Sequence, residues 1–301
     1  QYWPRDYLVR AEQAIRASGI KGSNLALMNR MTAQALLAAE DGNAEWFHSI
    51  LEAIEPHLER AEQAPIVALA EAHVARVTHG ADAALEVLRR RLPQLEAVFH
   101  TTPYMRATLV STRVDLATYI GGYTGAKKIL EKLPAEHPVV RLSTARLELY
   151  SGNNGAAEEI ARRLLRENLS LRRKAEISLI LAVTRWEAGD LEQVVEMLGP
   201  AVQLSHDYGG SAVYGTVPQS VLVDALQGAI AWLTERGDTV GERDHKLLLE
   251  MVQNLPETLV TKRFEALSIA EMRTLRALVD FGTRAEIAEA LFVSENTVKF
   301  H

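Results

Sequence analysis

Apolar residues recur at three- and four-residue spacing through most of the chain, whereas alternating β-branched runs are short. One such set is Ile177, Ile180, Leu181 and Thr184. Positions spaced in this way fall on one side of a helix with 3.6 residues per turn. Aromatic residues, which are common in strands, make up only 6% of the chain. The pattern therefore predicts an all-α protein whose helices each bury one stripe.

Several times, a helix rich in alanine and leucine leads into a glycine turn, and a second such helix follows. The turns read EDGNAEW, THGADAA, IGGYTGA, SGNNGAA and EAGDLEQ. Their glycines are Gly42, Gly80, Gly122, Gly152 and Gly189, which lie 38, 42, 30 and 37 residues apart. Glycine suits this place because the residue after a helix often needs a positive φ.

A helix–turn–helix unit that recurs at roughly 34–40 residues is the signature of tetratricopeptide-like repeats. The segment AVTRWEAGDLEQVVEML resembles such a unit most closely, and the other units are degenerate. Residues 1–255 are therefore predicted to form a tetratricopeptide-like helical-repeat superhelix with a sensor or interaction role. An irregular all-α bundle remains the alternative.

The repeat pattern is interrupted at HDYGGSAVYGTVPQ, which is predicted to be a loop because glycine and proline break helices. Helices are predicted over VLVDALQGAIAWLTERG and from Arg243 to Leu255. Pro256 ends the last of these helices, and residues 256–266 are predicted to be a linker.

The last 35 residues, LSIAEMRTLRALVDFGTRAEIAEALFVSENTVKFH, have a different character. Ser268 with Glu271 and Thr283 with Glu286 each form the S/T-x-x-E capping box of a helix start. Ser294 can cap a third helix through its hydroxyl. Two short helices joined by a tight turn, the second opening with polar and basic residues, are typical of a helix-turn-helix.

This segment resembles the DNA-binding domain of LuxR-type (NarL/FixJ-type) bacterial transcription regulators. The family pattern LT-x-x-E…L…IA-x-x-L-x-x-S-x-x-TVK-x-H is matched by Leu267, Glu271, Leu275, Ile287, Ala288, Leu291, Ser294, Thr297, Val298, Lys299 and His301. Region 4 of sigma factors shares the phrase EIAEAL but usually continues with GTVKSR. One departure is Gly282, which lies one residue later than the glycine of the family. Residues 267–301 are interpreted as a LuxR-type helix-turn-helix that is truncated within the recognition helix.

The resemblance implies that the helix from Ser294 enters the major groove of DNA. The expected DNA-binding residues are Ser294, Glu295, Asn296, Thr297, Val298, Lys299 and His301. Lys299 would contact a phosphate or a guanine edge, Thr297 a phosphate, and Val298 a base. Backbone N–H groups at the helix start also favour a phosphate. The alternative is that Val298 and Phe300 are core residues and Lys299 is a solvated charge.

A stack of helical repeats offers a groove for a small-molecule effector or a protein partner. The candidate ligand-binding residues are Tyr104, Arg106, Tyr119, Tyr123 and Arg146. The alternative is that these tyrosines pack between helices with their hydroxyl groups at the surface.

Composition narrows the function classes. The chain has no cysteine, which excludes disulfides and cysteine-ligated zinc and fits a cytoplasmic location. No apolar run approaches the roughly 20 residues of a membrane span. The nine histidines are scattered without an HExxH motif, so no metal site is predicted. No Ser–His–Asp set is evident, and no catalytic residue is predicted.

No phosphate-binding G-x-x-x-x-G-K-[ST] motif occurs in the chain, and no cofactor is predicted for it. Large LuxR-type regulators of the MalT-like kind carry an ATP-binding domain before their repeats, so the resemblance implies that an ATP site would lie upstream of Gln1. The net charge of the chain is −6, so DNA contacts must come from a local surface.

The sequence is therefore interpreted as a fragment of a DNA-binding transcription regulator and not as an enzyme. Its repeats would receive a signal or a partner, and its complete C-terminal domain would bind double-stranded DNA. Homo-oligomerisation is left open. The alternative is a tetratricopeptide-like scaffold or adaptor that binds protein partners without binding DNA.

Overall fold

The computed structural model of the chain describes residues 24–40, 43–58, 62–98, 102–208, 212–261 and 283–300, together with Gln13, Thr274, Ala277 and Leu278. The chain divides into two compact units, Gln1–Arg263 and Phe264–His301. All regular secondary structure in the described ranges is helical. The predicted all-α class is therefore confirmed.

The described part of the first unit contains twelve α-helices. They are α1 (Asn24–Glu40), α2 (Ala44–Leu58), α3 (Ala64–His79), α4 (Ala81–Val98), α5 (Pro103–Tyr119), α6 (Tyr123–Leu130), α7 (Pro138–Tyr150), α8 (Asn154–Leu165), α9 (Leu171–Glu187), α10 (Leu191–Tyr208), α11 (Gln219–Glu235) and α12 (Thr239–Gln253). Two short 3₁₀ helices, Tyr214–Thr216 and Glu257–Leu259, follow α10 and α12.

Consecutive helices pack as six hairpins, from α1/α2 to α11/α12. The first helix of each hairpin also contacts the first helix of the next, so that α1, α3, α5, α7, α9 and α11 form a first-helix layer. Helices of this layer have neighbours on more than one side. In α9, for example, every residue from 175 to 184 is buried.

The glycine turns fit the local pattern that predicted them. Three of the predicted glycines have φ values between 77° and 96°: Gly80, Gly152 and Gly189. In the turn IGGYTGA the positive φ of 80° belongs to Gly121, while Gly122 has φ −77°. The Gly122 N–H donates to the Ala117 carbonyl at 2.8 Å and closes this turn. Gly42 lies outside the described residues.

Two segments without long helices contribute buried residues to the first unit. Residues 212–218, which fall in the predicted loop, are buried, and the side chain of Tyr214 is among the largest fully buried ones. The second segment, residues 256–261, is named the connector here because it precedes the second unit. In the connector, Leu259 is fully buried and Thr261 is buried. Residues 262–266 of the predicted linker lie outside the described residues.

Hydrogen bonds over long sequence separations hold the connector. Tyr150 Oη donates to Thr261 Oγ1 at 2.6 Å, and Thr261 Oγ1 donates to the Val217 carbonyl at 2.8 Å. The Gln219 N–H donates to the Thr261 carbonyl at 3.1 Å. The connector is therefore an integral part of the first unit up to Thr261.

The described part of the second unit contains α13 (Arg284–Leu291) and α14 (Glu295–Phe300). Ile287, Ala288 and Val298 bury their side chains against one another and against Ala277, with Leu291 packed beside them. The predicted capping box at Thr283 and Glu286 is present: each side chain accepts a hydrogen bond from the backbone N–H of the other residue. The box predicted at Ser268 and Glu271 lies outside the described residues.

The packing of α11 on its neighbours gives a test of the hairpin stack. A Cβ atom added to Gly228 would lie 2.3 Å from Trp186 Cζ3 and 3.1 Å from Leu191 Cδ2. We expect Gly228→Ala to lower the free energy of unfolding by about 1–3 kcal/mol, because overpacking outweighs the higher helix propensity of alanine. Urea unfolding followed by circular dichroism measures the change.

Gly155→Ala in α8 is the matched control, because nothing lies within 4 Å of the added Cβ. This variant is expected to gain about 0.5–1 kcal/mol. An equal increase in the free energy of unfolding in both variants would contradict the close contact between α11 and Trp186.

Candidate functional site

A cavity of about 310 Å³ lies in the first-helix layer of the first unit. Its lining comes from α1, α3, α5, α7, α9 and the buried segment 212–218. The lining residues are Leu36, Ala39, Leu69, Ala70, Ala72, His73, Arg76, Thr108, Thr112, Asp115, Leu116, Tyr119, Arg146, Arg172, Arg173, Glu176, Ala212 and Thr216. The volume is at the lower end of the range of about 300–1,000 Å³ for small-molecule sites.

Three buried charges join successive first helices in the cavity wall. Arg146 on α7 pairs with Asp115 on α5, and its Nη2 donates to Glu176 Oε2 on α9 at 2.8 Å. The Arg146 and Glu176 side chains are each 5% exposed. The partners of Arg146 lie 31 and 30 residues away, which is about one repeat in each direction. The three residues therefore link successive first helices with alternating charge. Asp115 and Arg146 each lie one turn before the end of their helix, whereas Glu176 lies in the first half of α9.

Two further arginines hold Glu176 from its own helix. Arg173 Nη1 lies 2.6 Å from Glu176 Oε2, and Arg172 Nε lies 3.3 Å from Glu176 Oε1. Burial alone would raise the pKa of Glu176, but Arg173, Arg146 and Arg172 outweigh it and lower this pKa to about 2. Burial lowers the pKa of Arg146, but Asp115, Tyr119 and Glu176 outweigh it and raise this pKa. Both groups of the buried pair are therefore charged at neutral pH.

Arg76 on α3 connects the cavity to the buried segment 212–218. Its Nη2 donates to the Gly215 carbonyl at 2.5 Å, and its guanidinium lies 4.5 Å from the centre of the Tyr119 ring. Thr261 Oγ1 in the connector lies 3.4 Å from the same carbonyl oxygen and donates its proton to the neighbouring Val217 carbonyl. The Tyr119 ring in turn lies 5.6 Å from the ring of Tyr150. The cavity wall and the connector thus both donate to carbonyls of the buried segment 212–218.

Of the ligand-binding residues predicted from the sequence, Tyr119 and Arg146 line the cavity. Tyr104 is 60% exposed, and its ring lies 5.2 Å from that of His137. Arg106 is exposed on α5. Tyr123 is half-buried and packs against the hydrophobic core. The structure therefore brings two of these five residues together at the cavity.

Arg76, Asp115 and Glu176 line the cavity as well, and sequence reasoning did not select them. A signal exists for Asp115, because it precedes Arg146 by 31 residues, close to the 30 residues between Gly122 and Gly152. Glu176 does not align in this way, because Gly152 and Gly189 are 37 residues apart. No comparable sequence signal marks Arg76, whose partners Gly215 and Tyr119 belong to other segments.

The second unit presents the residues that were predicted to bind DNA. Ser294 Oγ accepts a hydrogen bond from the Thr297 N–H at 3.1 Å, so Ser294 caps α14 as predicted. The preceding turn passes through Phe292, which has a positive φ of 56°. Ser294, Glu295, Asn296 and Lys299 are exposed, and Thr297 is half-buried.

Val298 and Phe300 differ in burial. Val298 is 7% exposed and packs against Ile287 and Ala288, which argues against the base contact expected for it. Phe300 is 86% exposed. His301 lies outside the described residues.

Comparison with protein-family models and with curated proteins finds no match to the chain. The LuxR-type resemblance therefore depends on the residues of the last segment alone. Among the described residues, no group of three or more His, Asp and Glu side chains could hold a metal ion. No helix within those residues is long and apolar enough to span a membrane.

The buried charges predict a pH dependence of stability. The folded-state pKa of Glu176, about 2, lies below its ordinary value of 4.5. Its carboxylate therefore stabilises the fold fully above that ordinary value, and the contribution is lost as the pH falls through the folded-state pKa. We expect Glu176→Gln to lower the free energy of unfolding at neutral pH and to flatten its decline in acid. Urea unfolding between about pH 2 and 7 measures both effects.

Glu159→Gln is the control, because Glu159 forms an ion pair with Arg163 in which both side chains are more than 60% exposed. Exposed pairs contribute about 0–1 kcal/mol. If the free energy of unfolding of Glu176→Gln fell in acid as steeply as that of the native protein, the buried network would not be the cause of this pH dependence.

Proposed function

We propose that the chain is part of a DNA-binding transcription regulator. In this proposal, a tetratricopeptide-like superhelix in the first unit receives a signal, and the helix-turn-helix in the second unit reads DNA. The observation that carries the proposal is that Thr283 caps α13 and Ser294 caps α14, with only a short turn between the two helices. This arrangement coincides with the LuxR-type sequence pattern and leaves the polar start of α14 exposed.

The layout of α13 and α14 supports a DNA-reading role. Residues 292–294 form the whole turn between the two helices, and Ser294 caps the second helix. In helix-turn-helix proteins the first residues of the second helix reach the base edges. Asn296 and Lys299 are exposed at that place. An asparagine amide can read adenine, and a lysine can contact guanine or a phosphate. Val298 anchors the helix from its buried side.

The hairpin stack supports a receiving role for the first unit. Repeats that contact only their neighbours build extended surfaces to which ligands and partner proteins bind. Successive hairpins pack on one another through the first-helix layer, and the cavity lies within the layer. In addition, α3 contacts the later segments 212–218 and 256–261. The packing between successive hairpins is the physical basis for proposing tetratricopeptide-like repeats.

Hydrogen bonds link the cavity lining to the connector, the segment that precedes the second unit in the chain. Arg76 belongs to the cavity lining and donates to the Gly215 carbonyl of the buried segment 212–218. Thr261 of the connector donates to the Val217 carbonyl of the same segment. A ligand that changed the position of Arg76 would therefore change a segment that holds the connector. Such a ligand regulates DNA binding only if its affinity differs between two states of the protein.

Fluorescence anisotropy of the natural full-length protein tests the proposal. The protein is titrated with duplex DNA from upstream of its own gene and with random duplex DNA, at two salt concentrations. We expect salt-sensitive binding that prefers the native duplex, because phosphate contacts release counterions. Lys299→Ala should weaken binding and lower the salt slope by about one.

Lys132→Ala is the matched control, because Lys132 is an exposed lysine of the first unit, after α6. It should leave both the affinity and the salt slope unchanged. Failure of the full-length protein to bind either duplex would reject the proposal in favour of a scaffold that binds protein partners only.

A further inference from the structure

We propose that the cavity in the first-helix layer binds a small organic anion, a carboxylate or a phosphate ester, with Arg76 and Arg173 as its principal cationic contacts. This proposal names the chemical class of the signal and so rests on the proposed function. It depends on the charges of the cavity wall, on the pairing of Arg76, and on the shape and polarity of the cavity.

The cavity lining carries more positive than negative charge. It contains four arginines and two carboxylates: Arg76, Arg146, Arg172, Arg173, Asp115 and Glu176. The lining therefore has an excess of two positive charges, whereas the whole chain has a net charge of −6. The Arg172 and Arg173 side chains are 38% and 36% exposed, so the cost of a buried charge without an opposite charge applies to Arg76. A local excess of this sign favours an anionic ligand.

Arg76 is the least compensated charge in this wall. It is 8% exposed, and within the described ranges no carboxylate lies within 4.0 Å of it. By contrast, Arg91 pairs with Glu55 and Glu71, and Arg146 pairs with Asp115 and Glu176. The Gly215 carbonyl and the Tyr119 ring orient the Arg76 guanidinium without neutralising it.

An unpaired donor lies in the same wall. Arg146 Nε is buried and has no hydrogen-bond partner, although both terminal nitrogens of this guanidinium are paired. Buried polar atoms almost always have a partner in native proteins. Asp115 Oδ1 in the same lining is likewise buried without a partner. An organic anion with acceptor oxygens and a hydroxyl or amine donor has groups that could pair with both atoms.

The size and mixed polarity of the cavity favour a small organic molecule over a bare ion or a peptide. The volume of the cavity is about 310 Å³. Besides the arginines, its lining includes the apolar side chains of Leu69 and Leu116 and the hydroxyl group of Thr108. Small-molecule sites typically combine an apolar lining with a few placed polar groups. The guanidinium groups would bind the anionic head, and the apolar side chains would contact the carbon skeleton.

Isothermal titration calorimetry of the intact protein at low salt tests the proposal. The probes are inorganic phosphate, glucose 6-phosphate, succinate and glutamate, which separate phosphate from carboxylate ligands. Uncharged glucose is the ligand control. We expect at least one organic anion to bind with one-to-one stoichiometry and glucose not to bind. Arg76→Gln should weaken that binding about tenfold or more, because a charge-assisted contact is lost.

Arg163→Gln is the matched control, because Arg163 is 68% exposed and lies outside the cavity lining. It should leave the affinity unchanged. If circular dichroism shows that Arg76→Gln does not fold, Arg173→Gln replaces it with the same expected loss, since the Arg173 side chain is 36% exposed.

Binding of none of the four anions would overturn the proposal, and so would equal affinities in the cavity variant and in Arg163→Gln. Binding of an acidic peptide in place of every small anion would overturn it as well. The DNA titration separates the two proposals. A protein that binds its own DNA but none of the anions rejects only the ligand class. A protein that binds an anion through Arg76 but no DNA rejects the transcription-regulator function.

Discussion

The pairing of Arg146 with Asp115 and Glu176 is the constraint on which the rest of the first unit depends. It joins three successive first helices by groups that are nearly excluded from water. Replacing one partner of such a buried pair typically costs about 3–5 kcal/mol, because a charge is left uncompensated. Because breaking the pairing is so unfavourable, it fixes the register of α7 against α5 and α9. The hydrophobic contacts between hairpins, being non-directional, fix this register less well.

The same register places the aromatic and polar groups that surround the cavity. Tyr119 follows Asp115 by one helical turn, and Tyr150 follows Arg146 in the same way, so the two rings meet when the two charges meet. Tyr150 then reaches Thr261 of the connector. From the other side, Arg76 packs on Tyr119 and binds the Gly215 carbonyl. One cluster of side chains thus defines both a candidate ligand site and the anchoring of the segment before the second unit.

Local patterns in the sequence were sufficient to predict the helical hairpins. Apolar spacing and turn glycines such as Gly152 and Gly189 act over a few residues, and the hairpin turns form where they predict. The capping box of Thr283 and Glu286 was readable for the same reason. The helix predicted from Arg243 to Leu255 begins earlier, at Thr239, and ends at Gln253. The connector was interpreted as a linker because it begins at Pro256, where the preceding helix was predicted to end. Its partners Tyr150 and Val217 lie 111 and 44 residues away.

The candidate site was predicted only in part, for a related reason. Tyr119 and Arg146 were selected as aromatic and basic residues of the repeats, but Tyr104 met the same criterion and is exposed on α5. Composition cannot separate them, because the face of a helix that lines a cavity depends on how neighbouring repeats dock. The pairing of Asp115 with Arg146, which occupy matching places one turn before the ends of α5 and α7, does carry that information. It becomes visible only when the repeats are aligned with one another.

Hydrogen–deuterium exchange of the connector tests most directly whether the cavity wall holds it. The reporters are the amides of Gln219, Leu259 and Val260, which are hydrogen-bonded to Thr261, Pro256 and Glu257. We expect Arg76→Met to speed the exchange of these amides by about tenfold, because losing a charge-assisted hydrogen bond costs about 1.4 kcal/mol. Arg163→Met, outside the cavity, should leave exchange unchanged. Unchanged connector exchange in Arg76→Met would show that cavity and connector are independent and would contradict the account.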